Sequence, residues 1–241
     1  MKISIIVPAF NEEKFIARSL RRIKAATAAF TALGWESEII VCDNNSTDRT
    51  AEKARAAEVT VVFEPMNQIS RARNKGASAA IGDWLVFVDA DSYPSRELFE
   101  DLGVVIHGGD CLGGGAVVRM DRAVGWTRVF IPIWNGLSRL KRWAAGSFVF
   151  CEAKAFRELG GFSQELYAGE ELDFSERLKK LALQRKKEII ILHLHPLVTS
   201  ARKAHLYSLR EHLGMLVQTL RHRGANLKDR SSCTLWYDGR R

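Results

Sequence analysis

The sequence predicts an α/β fold: a Rossmann-like, mostly parallel central sheet flanked by helices, with a C-terminal helical tail. Three observations predict it. Short β-rich runs alternate with helical patterns through the first hundred residues, which implies parallel strands joined by right-handed crossovers. Several of these runs are strongly apolar, as in Ile3-Ser4-Ile5-Ile6-Val7 and Trp84-Leu85-Val86-Phe87-Val88. The 241 residues also suffice for one large domain whose core needs no disulfide or metal staple.

Taken in order, residues 3–7 read as the first strand. Residues 12–30 follow as a helix, with Phe15, Ile16, Leu20 and Ile23 at helical spacing. Residues 38–42 form the second strand. A helix over 47–57 is entered through Asn44-Asn45-Ser46, a turn-and-cap cluster in which Ser46 caps. Residues 59–63 are the third strand, 69–80 a helix, and 84–88 the fourth strand.

The second half is less regular. Gly108-Gly109 and Gly113-Gly114-Gly115 bracket a strand entry, and 116–120 is strand-like. An apolar run at 147–151 precedes a short helix near 154–159 that stops at Gly160-Gly161. A strong helix spans 170–183 and a strand 188–194. A final helix covers roughly 204–222, and the tail to Arg241 is basic and turn-rich.

The chain carries 36 basic and 28 acidic residues, a formal charge of +8. That balance favours anionic partners: nucleotides, phosphorylated lipids or membrane surfaces. The excess is scattered and no nucleic-acid module is present, so no nucleic-acid partner is expected. Cys42, Cys111, Cys151 and Cys233 lie far apart, which excludes the common zinc spacings and gives no disulfide framework. No run reaches the length of a membrane span, and the first apolar run ends at Pro8, too short for a signal peptide. The expectation is a cytoplasmic protein with no obligatory protein partner.

Candidate chemistry begins at Asp89-Ala90-Asp91, at the end of the fourth strand. Strand geometry places residues i and i+2 on one face, so both carboxylates can point into the crevice beyond the sheet. Such a pair suits a hard divalent cation that also holds a diphosphate. The plain alternative is an Asp-rich turn. The first strand delivers Pro8, Phe10 and Glu12 to the same crevice, with Pro8 ending the pairing. The second delivers Asp43, able to accept from a base N–H or ribose hydroxyls. Ser70-Arg71-Ala72-Arg73-Asn74-Lys75-Gly76 brings arginines whose forked donors suit phosphate, with Arg71 and Asn74 as its candidate ligand-binding residues and a solvated basic helix face as the plain alternative.

Val-Pro-Ala-Phe-Asn-Glu, Asp-Asn-Asn-Ser-Thr-Asp, Ala-Arg-Asn-Lys-Gly and Asp-Ala-Asp occur in that order, followed by Gly160-Gly161-Phe162 and Gly169-Glu170-Glu171-Leu172-Asp173-Phe174. This series resembles family 2 glycosyltransferases of the GT-A fold, over roughly residues 1–205. The resemblance implies a GT-A domain at 1–203, with a nucleotide-sugar donor half at 1–102 and an acceptor half at 103–203. Residues 204–241 would be a C-terminal helix and basic tail. It implies that Pro8, Phe10, Glu12 and Asp43 contact the nucleotide. Asp89 and Asp91 would hold ribose and a divalent cation, Mg or Mn, on the sugar-nucleotide diphosphate. His195 is a further candidate metal ligand, and Arg202 is placed to reach the diphosphate.

The implied reaction is inverting transfer of a sugar to an acceptor hydroxyl, which needs a carboxylate to take the acceptor's proton. Similar proteins usually supply it from Glu-Asp at the start of the late helix. Here Glu170-Glu171 stands instead, so Glu171 is the matching base, one methylene longer, with Glu170 as the alternative. The absence of a Q-x-x-R-W pattern points to a non-processive enzyme. A sugar-phosphate nucleotidyltransferase is the runner-up, and would want a Gly-rich phosphate loop after the first strand. A catalytically silent nucleotide-sugar or membrane-surface binding protein is the third reading.

Residues 126–140 bear on the acceptor, either a lipid-linked molecule or a small glycan. On a helical wheel Trp126, Val129, Phe130, Ile133, Trp134, Leu137 and Leu140 share one face, with Arg128, Arg139 and Arg142 opposite. Pro132 kinks or starts any helix there. A helix covering the core is the plainer expectation. A peripheral contact with the inner face of the membrane is the other.

Overall fold

The computed structural model describes residues 1–122, 125–144, 146–222 and 224–237. Strand β1 (Lys2–Ala9) leads into helices α1 (Ile16–Ala26) and α2 (Ala28–Ala32), then β2 (Glu36–Asp43), α3 (Thr50–Ala56), β3 (Thr60–Phe63) and α4 (Ile69–Ser78). Next come β4 (Trp84–Val88), β5 (Ser92–Tyr93), α5 (Arg96–Gly108), β6 (Cys111–Met120) and α6 (Thr127–Lys141). Strand β7 (Phe148–Glu152), α7 (Ala153–Glu158), α8 (Glu170–Gln184) and β8 (Glu188–Thr199) complete the sheet. The chain ends in α9 (Arg202–Leu206), α10 (Leu209–Arg221) and α11 (Thr234–Tyr237).

The strands form one sheet in the order β3-β2-β1-β4-β7-β6-β8-β5. Pairing is parallel from β3 through β4 and between β6 and β8, while β7 runs antiparallel to both its neighbours. Alternation along β1 splits the core into two layers, because successive side chains leave opposite faces. Ile3, Ile5 and Val7 join Leu20, Phe30 and Phe99 on one face, while Ile6 joins Phe87, Phe162 and Phe174 on the other. Each fully buried side chain of this size stabilises the fold by roughly 1.5–3 kcal/mol. Helix α4 lies so close to β1 that a Cβ on Gly76 would sit 2.5 Å from Ile6 Cγ2.

Several boundaries differ from the sequence expectation, each for a local reason. The helix expected over 12–30 starts at Ile16 and breaks at Thr27. Its first residues instead form a turn, with Asn11 at φ 52°. The Ser46 hydroxyl accepts from the Asn11 N–H at 3.0 Å, so it caps no helix. Helix α3 begins later, at Thr50, where the Asp48 carboxylate accepts from the Thr50 N–H.

Gly113-Gly114-Gly115 lie inside β6 rather than before it, since a Cβ on Gly114 would collide with the Ile190 carbonyl of β8. Helix α5 and the short strand β5 had no counterpart in the sequence reading. Strand β8 runs on to Thr199 through an irregularity: Ala116 pairs with Leu192 but Val118 with Leu197. Residues 193–196 therefore bulge out, around Pro196, which has no N–H for the ladder. The last long helix starts early, at Arg202, and is interrupted before Leu209.

Strand β1 pairs with β2 as far as Ala9–Asp43 but with β4 only as far as Ile6–Phe87. Pro8 thus ends the pairing with β4 and not with β2. The strand order reverses here, with β2 and β3 on one side of β1 and β4 on the other. A crevice opens beyond the carboxyl ends of the strands, where open α/β sheets bind ligands.

Candidate active site

Pro8, Ala9, Phe10 and Glu12 from the end of β1 face Asp89, Ala90 and Asp91 from the end of β4 across that crevice. With Asn44, Asn67, Ile69, Ala72, Arg202 and Tyr237 they line an open cleft. Asp89 and Asp91 come together through a turn, in which the Ser92 N–H donates to the Asp89 carbonyl at 3.0 Å. The strand itself stops at Val88, so strand periodicity is not what aligns them.

Arg202, at the start of α9, donates to both Glu12 oxygens at 2.8 and 2.6 Å and to Asp91 at 3.3 Å. Its guanidinium also lies 4.7 Å from the centre of the Phe15 ring. Burial alone would lower the Arg202 pKa; the Glu12 and Asp91 carboxylates outweigh it and hold the pKa above the ordinary value.

Asp89 also walls a second chamber, with Ile69, Arg73, Gly146, Ser147, Gly169, Glu170 and Glu171. Arg73 is the hub: it lies 2.6 Å from Glu170, 3.2 Å from Asp89 and 3.9 Å from Glu171. Its Nε is buried without a partner among the described residues. Burial, then the neighbouring Glu171, push the Glu170 carboxyl up to about 8 against the opposing pull of Arg73. One guanidinium cannot neutralise three carboxylates in a dry site, so the most buried of them holds its proton longest. Glu171 is more open than Glu170, with 19% of its side chain exposed against 3%. Both stand in the first turn of α8, where the helix dipole favours acids.

The structure therefore gathers Pro8, Phe10, Glu12, Asp89, Asp91 and Arg202 in one chamber and Glu170 and Glu171 in the next. Four other candidates lie elsewhere. Asn74 commits both ends of its amide to the Phe162 backbone, at 2.8 and 2.9 Å, and so clamps the Gly160-Gly161-Phe162 turn. Arg71 bonds Glu64 and Gln164 and lines neither chamber. Asp43 stops just short of the cleft, where its carboxylate accepts from the Ser46 N–H, and the next residue, Asn44, forms the wall.

His195 is also absent from both chambers. It sits in the bulge of β8, four residues short of the strand end, and bonds Asp101 of α5 at 3.0 Å. Among the described residues no cluster of three or more His, Cys, Asp or Glu forms a ready metal cage.

Sequence reasoning missed Arg73 as the hub, although a signal was present. Ala72, Arg73, Gly76 and Ala77 repeat at helical spacing and with Ser70 form the buried face of α4, from which Arg71 is excluded. Tyr237 had no such signal. It reaches the cleft because residues 224–237 fold back: the Tyr167 N–H donates to the Leu227 carbonyl at 2.7 Å, Lys228 pairs with Glu165, and the Ile69 N–H donates to the Tyr237 hydroxyl at 3.3 Å.

Comparison with known proteins decides the family. The pattern of "Glycosyl transferase family 2" matches residues 4–157. The chain belongs to glycosyl transferase family 2. Within the family it is 31% identical over 135 residues to the dolichol-phosphate mannosyltransferase of Pyrococcus furiosus, covering 52% of this chain and 36% of that protein. It is 34% identical over 105 residues to the uncharacterized glycosyltransferase EpsJ of Bacillus subtilis, covering 42% of this chain and 29% of that protein. The chain thus spans about a third of the length of these curated relatives.

Among solved structures, the mannosyltransferase PcManGT of Pyrobaculum calidifontis, in complex with GDP-Man and Mn²⁺, superposes with a TM-score of 0.69 at 21% identity, covering 92% of this chain and 63% of that one. The fold of this family 2 member is GT-A.

Proposed function

We propose that this chain transfers a sugar from a nucleotide-diphosphate sugar to an acceptor hydroxyl with inversion, one sugar per encounter and with a divalent cation. The observation that carries the reading is the shared wall at Asp89: paired acids and Arg202 lie on one side of it, a half-open carboxylate on the other. The names of the relatives support the reaction class, and the neighbour solved with GDP-Man and Mn²⁺ supports the donor class and the ion.

Asp89 and Asp91 fit magnesium or manganese, because such an ion takes one or two carboxylates and completes its shell with phosphate oxygens and water. When bound, the ion would offset the charge that gathers on the leaving diphosphate. Arg202, which forks onto Glu12 in this structure, would turn those donors to the same diphosphate. On the far side, Glu171 takes the proton from the acceptor hydroxyl as its oxygen bonds the anomeric carbon. The bond from that carbon to the diphosphate breaks, and the nucleoside diphosphate departs. Glu170 and Arg73 hold Glu171 in place. No helix among the described residues is long and apolar enough to cross a membrane. We place the reaction in the cytoplasm, with a lipid-linked or small-glycan acceptor.

A panel of uridine and guanosine diphosphate sugars with Mn²⁺, read by thermal shift and by release of nucleoside diphosphate, tests the reading. At least one donor should raise the melting point and be turned over, and Asp91→Asn should abolish the metal-dependent binding. Binding without transfer or hydrolysis for every donor would leave a silent binding protein. Binding that is equal with and without Mn²⁺ would remove the ion from the scheme.

A further inference from the structure

Helix α6 is amphipathic in the wrong sense for a helix that covers a core. Its inner side is mostly polar: Thr127 and Ser138 are its buried residues, Ile131 is an apolar side chain packed on the core, and the Asn135 amide pairs with both the N–H and the carbonyl of Val118 on β6, at 3.0 and 2.9 Å. Ser138 bonds the Trp143 backbone in both directions. These contacts fix which side faces the protein. The opposite side, at 100° per residue, carries Val129, Ile133 and Leu140, which are 66, 65 and 79% exposed. Phe130 and Leu137 widen the stripe on one flank and are 36% exposed each.

In water this arrangement leaves large apolar side chains uncovered while burying polar ones. A contiguous apolar face of this kind marks an interaction surface. Its charge decides the partner. Arg128 and Arg139 flank the stripe on the other side, Lys141 and Arg142 close its end, and α6 carries no acidic residue. Just before the helix, Arg119 and Arg122 add two further cations. Arg142 is paired with Glu188 at 3.9 Å and Asp121 stands between Arg119 and Arg122, but cations still outnumber acids around the face. An apolar face with such a rim is complementary to an anionic lipid surface, where each Lys or Arg adds to the attraction. It is poorly matched to a second copy of itself, which would bring like charges together. At 15 residues the helix is too short to span a bilayer, so it lies in the interface.

We propose that α6 is a membrane-docking helix that seats this protein on an anionic phospholipid bilayer through Val129, Ile133, Leu140, Phe130 and Leu137. Docking stands on α6 alone and does not require the transferase reading. On that reading it also has a consequence for the acceptor: Gly146 and Ser147, soon after the end of α6, line the Glu171 chamber. A docked helix holds that chamber close to the lipid headgroups, where a lipid-linked hydroxyl or phosphate would be presented.

Vesicle co-sedimentation tests the proposal directly. Vesicles of phosphatidylcholine with phosphatidylglycerol should pull down the full chain, and pure phosphatidylcholine vesicles should bind at least roughly tenfold less. Brominated lipid tails should quench part of the tryptophan fluorescence, through Trp126 on the stripe's side of the helix. The double variant Ile133→Glu with Leu140→Glu should lose binding by a similar factor and lose the quenching, with an unchanged melting point because both side chains lie outside the core. Equal binding of the variant and the parent would overturn the assignment. So would absence of vesicle binding together with a dimer in solution that the same variant dissociates, since the stripe would then cover a second copy. Turnover is not read in any of these arms, so failure here leaves the transferase reading intact.

Discussion

Arg73 donates a hydrogen bond of 2.6 Å to Glu170, and each of the two side chains is only 3% exposed. The same guanidinium reaches Asp89 at 3.2 Å and Glu171 at 3.9 Å. Asp89 of the cleft and the two glutamates of the second chamber are therefore in electrostatic contact through one side chain.

The two glutamates should separate in kinetics. Glu171→Gln should lower kcat by about 10²–10⁴-fold, the usual range for a lost general base, with the donor KM nearly unchanged. Glu170→Gln keeps a neutral hydrogen-bonding group beside Arg73 and should retain most of the turnover. Steady-state assays on both variants decide, and an inactive Glu170→Gln beside an active Glu171→Gln would reverse the roles.

Glu170 should also write itself into the pH dependence of stability. Its carboxyl moves from 4.5 to about 8 on folding, through burial first and Glu171 second, so the native state binds the extra proton between those values. Stability from this group is complete below the lower value and is lost as pH rises through the upper one. The urea midpoint of the parent relative to Glu170→Gln should therefore fall across that window. A constant difference across it would show that Glu170 is ionised in the native state throughout.

Arg73→Met should destabilise the fold by about 1–3 kcal/mol, because it leaves buried Glu170 without its hydrogen-bond donor and the partly exposed Asp89 and Glu171 without their cation. Arg73→Lys should recover only part of this, since a single ammonium cannot fork toward Asp89 and Glu170 together. Chemical denaturation of the three proteins measures both effects.

Asn74→Ala should cost about 1–3 kcal/mol of stability through its two lost bonds to Phe162, while leaving donor affinity unchanged. A donor Kd that rises more than stability falls would return Asn74 to the binding site.

Much of this architecture was legible from the chain alone, and the exceptions share a cause. The apolar runs at Ile3 to Val7 and Trp84 to Val88 mark buried central strands, and the acids at their ends follow from where such strands point. Asn74, Arg71 and His195 went astray because their side-chain directions depend on elements distant in sequence. Phe162 claims Asn74, Gln164 and Glu64 claim Arg71, and Asp101 claims His195. The bulge around Pro196 carried His195 away from the strand end, and no single-strand pattern announces a bulge. On α6 the apolar stripe was plain, but its outward orientation was fixed by Asn135 on Val118, a contact across elements.

The cleft is closed by Arg202 and Tyr237, both far beyond the residues that carry the family's pattern, 4–157. The recognisable part of the chain and its working part thus have different borders. A chimera joined at the end of the pattern would inherit Glu12, Asp89 and Asp91, and Arg73 beside Asp89, but leave behind Arg202, which bonds Glu12 and Asp91, and the helix that bears both glutamates. Such a graft would carry Glu12 and Asp91 facing one another without their cation. Donor exchange among proteins of this kind has to move the chain's far end together with its beginning.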